Sequence, residues 1–325
     1  MDQSASVFSE RGSALLVSFT PSLSARPVYF PQTHPELCFL VAQSFVTSNK
    51  QETGPVRYNL RVVEVSMAAA YLNAKLCAPG TELPRDAGPL GVSLRGFHQN
   101  YFAAQQQQQK SMPEQLAELV ELTRSTLTQE EGYTVDEIAA GMGVTAADVR
   151  ARFLSSFPVR GERFKLRQRA LHVFTEAQRV LQFLSLLEDP ALRPSAAAAA
   201  ATTTADADAD ADTSAYNARL GALMNETQAS CRDLYECSCA EIDELCALAR
   251  AAGSLGSRLT GAGWGGCSVH LVPEDRVDAV RAALLDGYYA KRFPGLAQAD
   301  RDAAIVVSKP MNGSAVARLR DGLIQ

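Results

Sequence analysis

Apolar residues recur with two different periods along this chain, and the period distinguishes expected strands from expected helices. A period of two, typical of a half-buried strand, covers residues 267–272, and strands also fit residues 13–19, 36–43 and 303–308. Spacing of three or four residues, typical of a helix, covers a short opening segment and then residues 56–76, 111–128, 133–153 (as two short helices), 163–187, 215–235, 238–253 and 274–293. This order of elements predicts the α+β class.

Two regions of low complexity interrupt this pattern. Prolines and glycines break regular structure between residues 77 and 97, and a run of glutamines follows at 105–109. A second region passes from polyalanine into an Ala-Asp repeat, so it buries little apolar surface and carries charge of one sign. We therefore expect an N-terminal segment 1–78, a linker 79–110, and a C-terminal domain 111–325 that contains a disordered insertion at 194–214.

The charge balance excludes one class of partner. The 325-residue chain carries a net charge of -5 with a pI near 5.5, whereas a nucleic-acid-binding surface normally shows a basic excess. Residues 133–153 have the spacing of a helix-turn-helix, but the second helix offers only Arg150 and Arg152, beside Asp148. We therefore expect no nucleic-acid partner, and any phosphate binding must be local.

The cysteines and the basic residues have structural interpretations. Seven cysteines without paired C-x-x-C spacing, together with four scattered histidines, predict reduced thiols in a cytoplasmic protein and no metal centre. Those at 231, 237, 239 and 246 are expected as small apolar side chains where two helices meet. No apolar run is long enough to cross a membrane. Alternating basic residues in one helix are typical of solvated charge: Arg163, Lys165, Arg167 and Arg169.

One glycine-rich stretch leads into a predicted strand. Residues 257–271 read SRLTGAGWGGCSVHL, with Gly261, Gly263, Gly265 and Gly266 around the only tryptophan. A backbone without Cβ atoms turns tightly and approaches a ligand closely. The spacing matches G-x-G-x-x-G, but a strand rather than a helix follows, which excludes a dinucleotide site, and no Gly-Lys-Ser/Thr follows as a Walker loop requires. An anion-binding loop and a simple tight turn stay as the two interpretations.

Six ordered blocks of the sequence resemble one family. They are MDQSASVFSERGSALLVSF at the start, SNK with YNLRVVE (48–50 and 58–64), FKLRQRALHVFTEAQRVLQF (164–183), LMNETQASCRDLYECSCAEIDEL (223–245), SRLTGAGWGGCSVHLVP (257–273) and IVVSKPMNGS (305–314). The chain is similar to the galactokinases of the GHMP sugar-kinase superfamily, in the branch of fungal galactokinases and animal N-acetylgalactosamine kinases. The resemblance implies the two-domain GHMP kinase fold, with an incomplete N-terminal domain and a complete C-terminal α+β domain.

The resemblance also implies a reaction, in which the γ-phosphoryl group of ATP moves to the anomeric hydroxyl of galactose or a related hexose, with Mg2+ as cofactor. In the family the aspartate of a Met-Asp-Gln segment accepts or orients the proton of that hydroxyl, and this residue corresponds to Asp2. Tyr58 matches the tyrosine that hydrogen-bonds the sugar. Asn49 is expected to help position the loop near it.

The glycine-rich stretch acquires a role from the same resemblance. Its glycines at 261, 263, 265 and 266 match the third motif of the superfamily, which shapes the phosphate end of the substrate cleft. Thr260 is expected to contribute a hydroxyl there. The main ATP and Mg2+ ligands are expected elsewhere in the family's sequence, upstream of these residues.

Two earlier motifs of the family do not occur in these 325 residues: a sugar-binding Gly-Arg-x-Asn-Leu-Ile-Gly-Glu-His segment and a glycine-serine loop that wraps ATP. We therefore expect the chain alone to be inactive, and the strands of residues 1–78 to lack sheet partners. Two alternatives stay open: a non-catalytic galactose-responsive transcriptional regulator, which would contact a repressor, and an N-acetylgalactosamine kinase. The chain is expected to be a monomer.

Overall fold

The computed structural model describes the backbone of residues 2–47, 49–104, 110–190, 213–314, 319–320 and 323–324. Its helices are α1 (Asp2–Phe8), α2 (Lys50–Thr53), α3 (Tyr58–Leu76), α4 (Leu94–Ala104), α5 (Met112–Thr126), α6 (Val135–Met142), α7 (Ala146–Phe153), α8 (Leu166–Leu187), α9 (Ser214–Asp233), α10 (Ala240–Ala251), α11 (Val277–Leu284), α12 (Ala290–Arg292) and α13 (Gln298–Ala303). Its strands are β1 (Ser13–Ser18), β2 (Ser24–Tyr29), β3 (Leu37–Gln43), β4 (Gly256–Leu259), β5 (Cys267–Pro273), β6 (Ile305–Ser308), β7 (Leu319–Arg320) and β8 (Leu323–Ile324).

Most of the predicted elements are confirmed. The four predicted strands correspond to β1, β3, β5 and β6, and the predicted helices correspond to α1, α3 and α5 to α11. The helix predicted at 274–293 is divided by a π-helical turn, Leu285–Tyr289, that separates α11 from α12. Strands β2 and β4 and helix α4 were not predicted. The insertion predicted at 194–214 lies outside the described residues except for 213 and 214, and the glutamine run lies outside them entirely.

Contacts within the chain define two compact units. The first comprises residues 1–45, 182–225 and 240–325, and the second comprises residues 46–181 and 226–239. These bounds differ from the predicted segments 1–78, 79–110 and 111–325, because each unit draws residues from both sides of the predicted linker. The assignment of those segments to family domains stays a prediction.

An antiparallel sheet of order β4-β5-β3-β6 forms the centre of the first unit. Strand β3 lies inside it, with Leu40 opposite His270 of β5 and opposite Val307 of β6. Ala42 pairs with Ser268, although the two residues are 226 positions apart in the sequence. The expectation that strands of residues 1–78 lack sheet partners is therefore wrong for β3, because its partners come from the far end of the chain.

Alternation along β3 explains why this unit has a core on both faces of its sheet. Leu40 packs on one face with a buried cluster that includes Leu245 of α10 and Val280 of α11. Phe39, one residue earlier, packs on the opposite face against a cluster that includes Leu220 of α9. Because successive side chains of a strand point to opposite faces, the continuous apolar run at residues 37–42 reflects burial on both sides.

Helices form the core of the second unit. Met67 and Leu72 of α3 belong to one buried cluster with Leu119 of α5, Phe153 of α7 and Phe164. In α5 and α7 the buried residues recur at helical spacing, so each of these helices has one buried stripe. Helix α3 is instead buried at every position from residue 66 to residue 73, so it lies in the middle of this core.

Helix α4 lies in the segment that was predicted as a linker. Phe97 is fully buried, Tyr101 is nearly so, and their ring centroids lie 5.9 Å apart. Asn100 Nδ2 donates to Asn73 Oδ1 of α3 at 2.9 Å. Proline and glycine break regular structure only up to residue 93, and aromatic residues four positions apart then give α4 a buried face.

The two short helices predicted at 133–153 are confirmed as α6 and α7. Each begins with a capping box, formed by Thr134 with Glu137 and by Thr145 with Asp148. Hydrogen bonds from these threonines lower the pKa of the Glu137 and Asp148 carboxyl groups. Gly143 ends α6 in the left-handed conformation, at φ 70°. Local sequence signals therefore determine this part of the fold.

Candidate active site

The glycine-rich stretch forms the loop of a β-hairpin. Strands β4 and β5 are antiparallel, with Leu259 opposite Ser268, and residues 260–266 connect them. We call residues 260–266 the glycine loop. The Thr260 N–H donates to the Cys267 carbonyl at 3.0 Å and closes the loop at its base. The sequence pattern identified β5 but missed β4, whose four residues are too few to show an alternation.

The backbone of the glycine loop is largely left-handed. The φ angles are 72° at Gly261, 83° at Gly263, 135° at Gly265 and 76° at Gly266, and Trp264 also has a positive φ of 56°. Beside Gly261 and Gly266 the space that a Cβ would occupy is open, so a ligand could approach the main chain there. Trp264 is only 6% exposed, so the side chain at the middle of the loop is buried. This geometry fits a loop that lies against a phosphate group.

A buried polar group lies between the two strands of the hairpin. His270 of β5 is 0% exposed, with Nδ1 2.9 Å from Ser257 Oγ and Nε2 2.9 Å from Ser268 Oγ. Burial, with a smaller contribution from Arg250, lowers the pKa of His270 to about 3. The imidazole is therefore neutral near pH 7, with one donor and one acceptor nitrogen for the two hydroxyls. Because Ser257 lies on β4, this contact stabilises one register of the hairpin.

The predicted catalytic residue, Asp2, begins α1 in the first unit. The last turns of α1 contact the end of the IVVSKPMNGS block, where the Ser314 N–H donates to the Ser6 carbonyl at 2.7 Å. A Cβ on Gly313 would lie 2.6 Å from the Val7 carbonyl oxygen, so this contact requires glycine. The block therefore has a structural explanation that sequence reasoning did not supply: it holds the helix that begins with Asp2.

Lys309, which had no predicted role, forms ion pairs at the edge of the same sheet. Its Nζ lies 2.8 Å from Glu36 Oε2 and 3.3 Å from Glu274 Oε1. The hydrogen bond to Glu36 raises the pKa of Lys309. All three side chains are exposed, so these ion pairs contribute little to stability.

The predicted sugar-side residues lie in the second unit. Asn49 precedes α2, and its carbonyl accepts a hydrogen bond from the Thr53 N–H at 2.9 Å. Tyr58 is half-buried and is the first residue of α3. The next residue, Asn59, donates from Nδ2 to the Pro158 carbonyl at 2.8 Å, which fixes the start of α3. The predicted site residues therefore fall in two groups: Asp2 and the glycine loop in the first unit, Asn49 and Tyr58 in the second.

Three of the family-like blocks meet in a charged cluster that supports α3. We define the charged cluster as Arg61, Glu64, Lys165, Arg169 and Glu236. Arg169 Nε lies 2.7 Å from Glu64 Oε2, and Arg61 Nη1 lies 3.0 Å from the same oxygen. Arg169 Nη2 lies 2.9 Å from Glu236 Oε2, and Lys165 pairs with the other oxygen of Glu236. The cluster thus joins α3 and α8 to the turn after α9.

The charged cluster corrects the interpretation of the basic residues in α8. Arg169 and Glu64 each have 1% of the side chain exposed, so Arg169 is not solvated charge. Burial and the neighbouring Arg169 guanidinium lower the pKa of Arg61. Burial acts to raise the pKa of Glu236, but Lys165 and Arg169 outweigh it and the pKa is lowered. The sequence spacing could not reveal this, because the acidic partners come from distant blocks.

The described residues offer no evident metal ligands and no membrane span. Among them, no group of three or more His, Cys, Asp or Glu side chains is arranged to hold a metal ion, so we assign none to Mg2+. In the same residues, no helix is both long and apolar enough to cross a membrane. The seven cysteines form no disulfides in the part of the chain that the structure describes. Cys231, Cys237 and Cys246 are buried, which fits their predicted packing role, whereas Cys239 is only partly buried.

Comparison with known proteins first identifies the class of protein that has this fold. Residues 215–290, which run from α9 through the hairpin to the π-helical turn, match the family described as GHMP kinases C terminal. A crystal structure of Lactococcus lactis galactokinase complexed with galactose has the same fold, with a TM-score of 0.54 at 20% identity. The match covers 96% of this chain and 54% of that chain. The α+β GHMP kinase fold is thereby confirmed.

The closer likeness is to galactokinases in particular. Galactokinase of Saccharomyces cerevisiae is 40% identical over 98% of this chain and 59% of its own length. Galactokinase of Schizosaccharomyces pombe is 35% identical over 99% of this chain and 60% of its own length. The chain is therefore a homologue of the galactokinases, as its sequence blocks predicted. It spans about three fifths of the length of these relatives.

Proposed function

We propose that this chain carries the catalytic aspartate, the sugar-side residues and the phosphate-side loop of a galactokinase. Such an enzyme transfers the γ-phosphoryl group of ATP to the anomeric hydroxyl of galactose and yields galactose 1-phosphate. The observation that supports the proposal best is the 40% identity to Saccharomyces cerevisiae galactokinase, which extends over 98% of this chain rather than over one motif. Because its described cysteines form no disulfides, the protein is expected to act in the cytoplasm.

In the proposed reaction the carboxylate of Asp2 accepts the proton of the anomeric hydroxyl. The hydroxyl oxygen forms a bond to the γ-phosphorus while the bond from that phosphorus to the bridging oxygen breaks, and ADP leaves. Phosphoryl transfer depends mainly on positioning and charge stabilisation, so one carboxylate at the nucleophile is sufficient general-base chemistry. The hydroxyl of Tyr58 would hydrogen-bond the sugar, and Asn49, at the start of α2, would position the residues next to it.

The glycine loop is proposed to lie against the phosphates of ATP. The open main chain at Gly261 and Gly266 allows close approach, and the exposed Thr260 offers a hydroxyl donor. When bound, Mg2+ would neutralise part of the phosphate charge. Since the described residues form no ligand group for it, we assign no residue of this chain to that role.

The test uses a chimera, so that it does not depend on how much of the family's sequence this chain spans. The matched 59% of Saccharomyces cerevisiae galactokinase is replaced by residues 1–325, and galactose-dependent ADP release is measured. We expect turnover, and we expect Asp2→Asn to lower kcat about a thousandfold, in the range of a lost general base. Asp275→Asn is the matched control, because Asp275 is exposed and pairs only with its neighbour Arg276 in the contacts described.

The possible outcomes separate the candidate functions. A folded chimera with no galactose-dependent turnover would refute the kinase proposal, and galactose binding without turnover would favour the regulator. Turnover with N-acetylgalactosamine in place of galactose would favour the alternative sugar kinase. A parallel assay of the 325-residue chain alone tests the separate expectation that it is inactive by itself.

A further inference from the structure

One carbonyl at the end of the glycine loop accepts two hydrogen bonds from a single residue. The Ser44 N–H donates to the Gly266 carbonyl at 2.8 Å, and the Ser44 Oγ–H donates to the same oxygen at 2.7 Å. Ser44 follows directly after β3 and is 0% exposed. A hydrogen bond shielded from water is electrostatically stronger than one in solvent. This double contact therefore constrains the point at which the glycine loop enters β5.

Ser44 is held in turn by the π-helical turn after α11. Tyr288 Oη donates to the Ser44 carbonyl at 2.7 Å, and Tyr289 Oη donates to the Gln43 carbonyl at 2.6 Å. Both tyrosines belong to the π-helical turn, a rare element that occurs frequently at functional sites. The turn thus directs two buried tyrosines at the same end of β3.

The residue after Ser44, Phe45, is held in an unusual backbone conformation by aromatic contacts. Phe45 has a positive φ of 59°, which is unusual for an aromatic residue. Its ring centroid lies 5.9 Å from that of Tyr289 and 5.2 Å from that of Phe293. A left-handed conformation persists in a bulky residue only when the surrounding structure determines it. Ser44 is therefore a rigid support for whatever it contacts.

The contacted loop has, by contrast, a composition that allows its main chain many conformations. Several of its residues have no Cβ, and Gly261 and Gly266 are exposed with open space beside them. Glycine loses more conformational freedom on ordering than any other residue, so an unsupported loop of this composition would have to be ordered when a ligand binds. Pre-ordering by a rigid neighbour removes that cost from binding.

We propose that Ser44 is a positioning residue for the glycine loop: its two hydrogen bonds to the Gly266 carbonyl, backed by Tyr288, hold the loop ready for the nucleotide phosphates. The nucleotide part of this inference rests on the proposed function. The positioning part is a statement about the loop alone, and it is tested without any activity.

The loop contains its own reporter, since Trp264 is the only tryptophan of the chain. In the 325-residue protein, Ser44→Ala removes one of the two bonds and leaves the backbone bond in place. We expect a red shift of Trp264 emission and a higher acrylamide quenching constant. The matched control is Ser13→Ala, because the Ser13 hydroxyl is also buried and donates to a carbonyl, that of Glu10, outside the glycine loop.

A second pair of variants keeps the test valid if Ser44→Ala fails to fold. Tyr288→Phe removes the hydroxyl that supports Ser44 and should change Trp264 in the same direction. Tyr216→Phe removes a buried hydroxyl that donates to the Leu186 carbonyl, and should leave Trp264 unchanged. Equal quenching in wild type, Ser44→Ala and Tyr288→Phe would overturn the proposal, as would equal changes in the controls.

The nucleotide part is tested in the chimera. Ser44→Ala should raise KM for ATP about fivefold, the equivalent of one neutral hydrogen bond, and leave KM for galactose unchanged. An unchanged KM for ATP, or an equal rise for both substrates, would refute the nucleotide role. If the unsubstituted chimera has no turnover, the proposed function fails, and the Trp264 measurement still decides whether Ser44 positions the loop.

Discussion

Lowering the pH should destabilise the first unit through His270. Burial between Ser257 and Ser268 lowers the pKa of His270 from 6.5 to about 3. The unfolded chain therefore binds this proton near pH 6.5, whereas the folded chain binds it only near pH 3, so stability decreases as the pH falls through that window. Between pH 7.5 and pH 5.0 the free energy of unfolding should decrease by about 2 kcal/mol from this group alone.

Urea unfolding measures this effect, with Trp264 fluorescence as a signal from the same hairpin. Wild type and His270→Gln are compared at several pH values between pH 7.5 and pH 5.0. Glutamine does not titrate, so the variant should lose the part of the pH dependence that belongs to His270, whatever its stability at neutral pH. His34→Gln, at an exposed histidine outside the hairpin, is measured in parallel as the control for replacing an imidazole by an amide.

Two results would refute this reasoning. One is an equal pH dependence in wild type and His270→Gln, which would mean that the imidazole is protonated as readily in the folded state as in the unfolded state. The other is a wild-type stability that does not change between pH 7.5 and pH 5.0. Either result would also remove the argument that the neutral imidazole stabilises the register of β4 against β5.

Three further predictions concern packing and pairing. Gly221→Ala should lower the free energy of unfolding by about 2 kcal/mol, because a Cβ there would lie 2.4 Å from backbone atoms of Leu255. Gly295→Ala is the control: a Cβ there meets open space and should leave the urea midpoint unchanged. Arg169→Met should lower the free energy of unfolding by about 3 kcal/mol, because it leaves the buried Glu64 carboxylate without this partner. Adding Glu64→Gln should restore part of that loss, and strictly additive losses in the double variant would contradict the pairing. Hydrogen exchange should protect the amides of β3 as strongly as those of β5, and fast exchange in β3 alone would contradict its central position.

The sequence predicted those elements whose burial is set by a regular period. Helices α5 and α8 each present one apolar stripe, and β5 alternates between buried and partly buried residues over its first half, so their patterns were sufficient. Strand β4 is too short for a pattern, and β2 contains Pro27, which is unusual within a strand. Helix α4 was missed because its aromatic residues follow a stretch rich in proline and glycine.

For the candidate site, the sequence predicted residue types but not the residues that support them. The glycines were evident from composition, and the family resemblance gave Asp2, Asn49 and Tyr58 their proposed roles. Ser44 gave no signal, since a serine after a strand is ordinary and its partner Gly266 is 222 positions away. The same holds for Arg169, whose partner Glu64 lies 105 positions earlier. Long-range polar pairs of this kind leave no periodic trace in a single sequence.

The place of β3 in the sheet has a consequence for synthesis of the protein. A ribosome makes residues 37–43 long before their neighbours β5 and β6, which emerge only with residues 267–273 and 305–308. During that interval this apolar strand has both edges unpaired, which is the condition for aggregation and for recognition by chaperones. The helical core of residues 46–181 can form meanwhile from local contacts, so the second unit is expected to fold before the sheet of the first unit is complete.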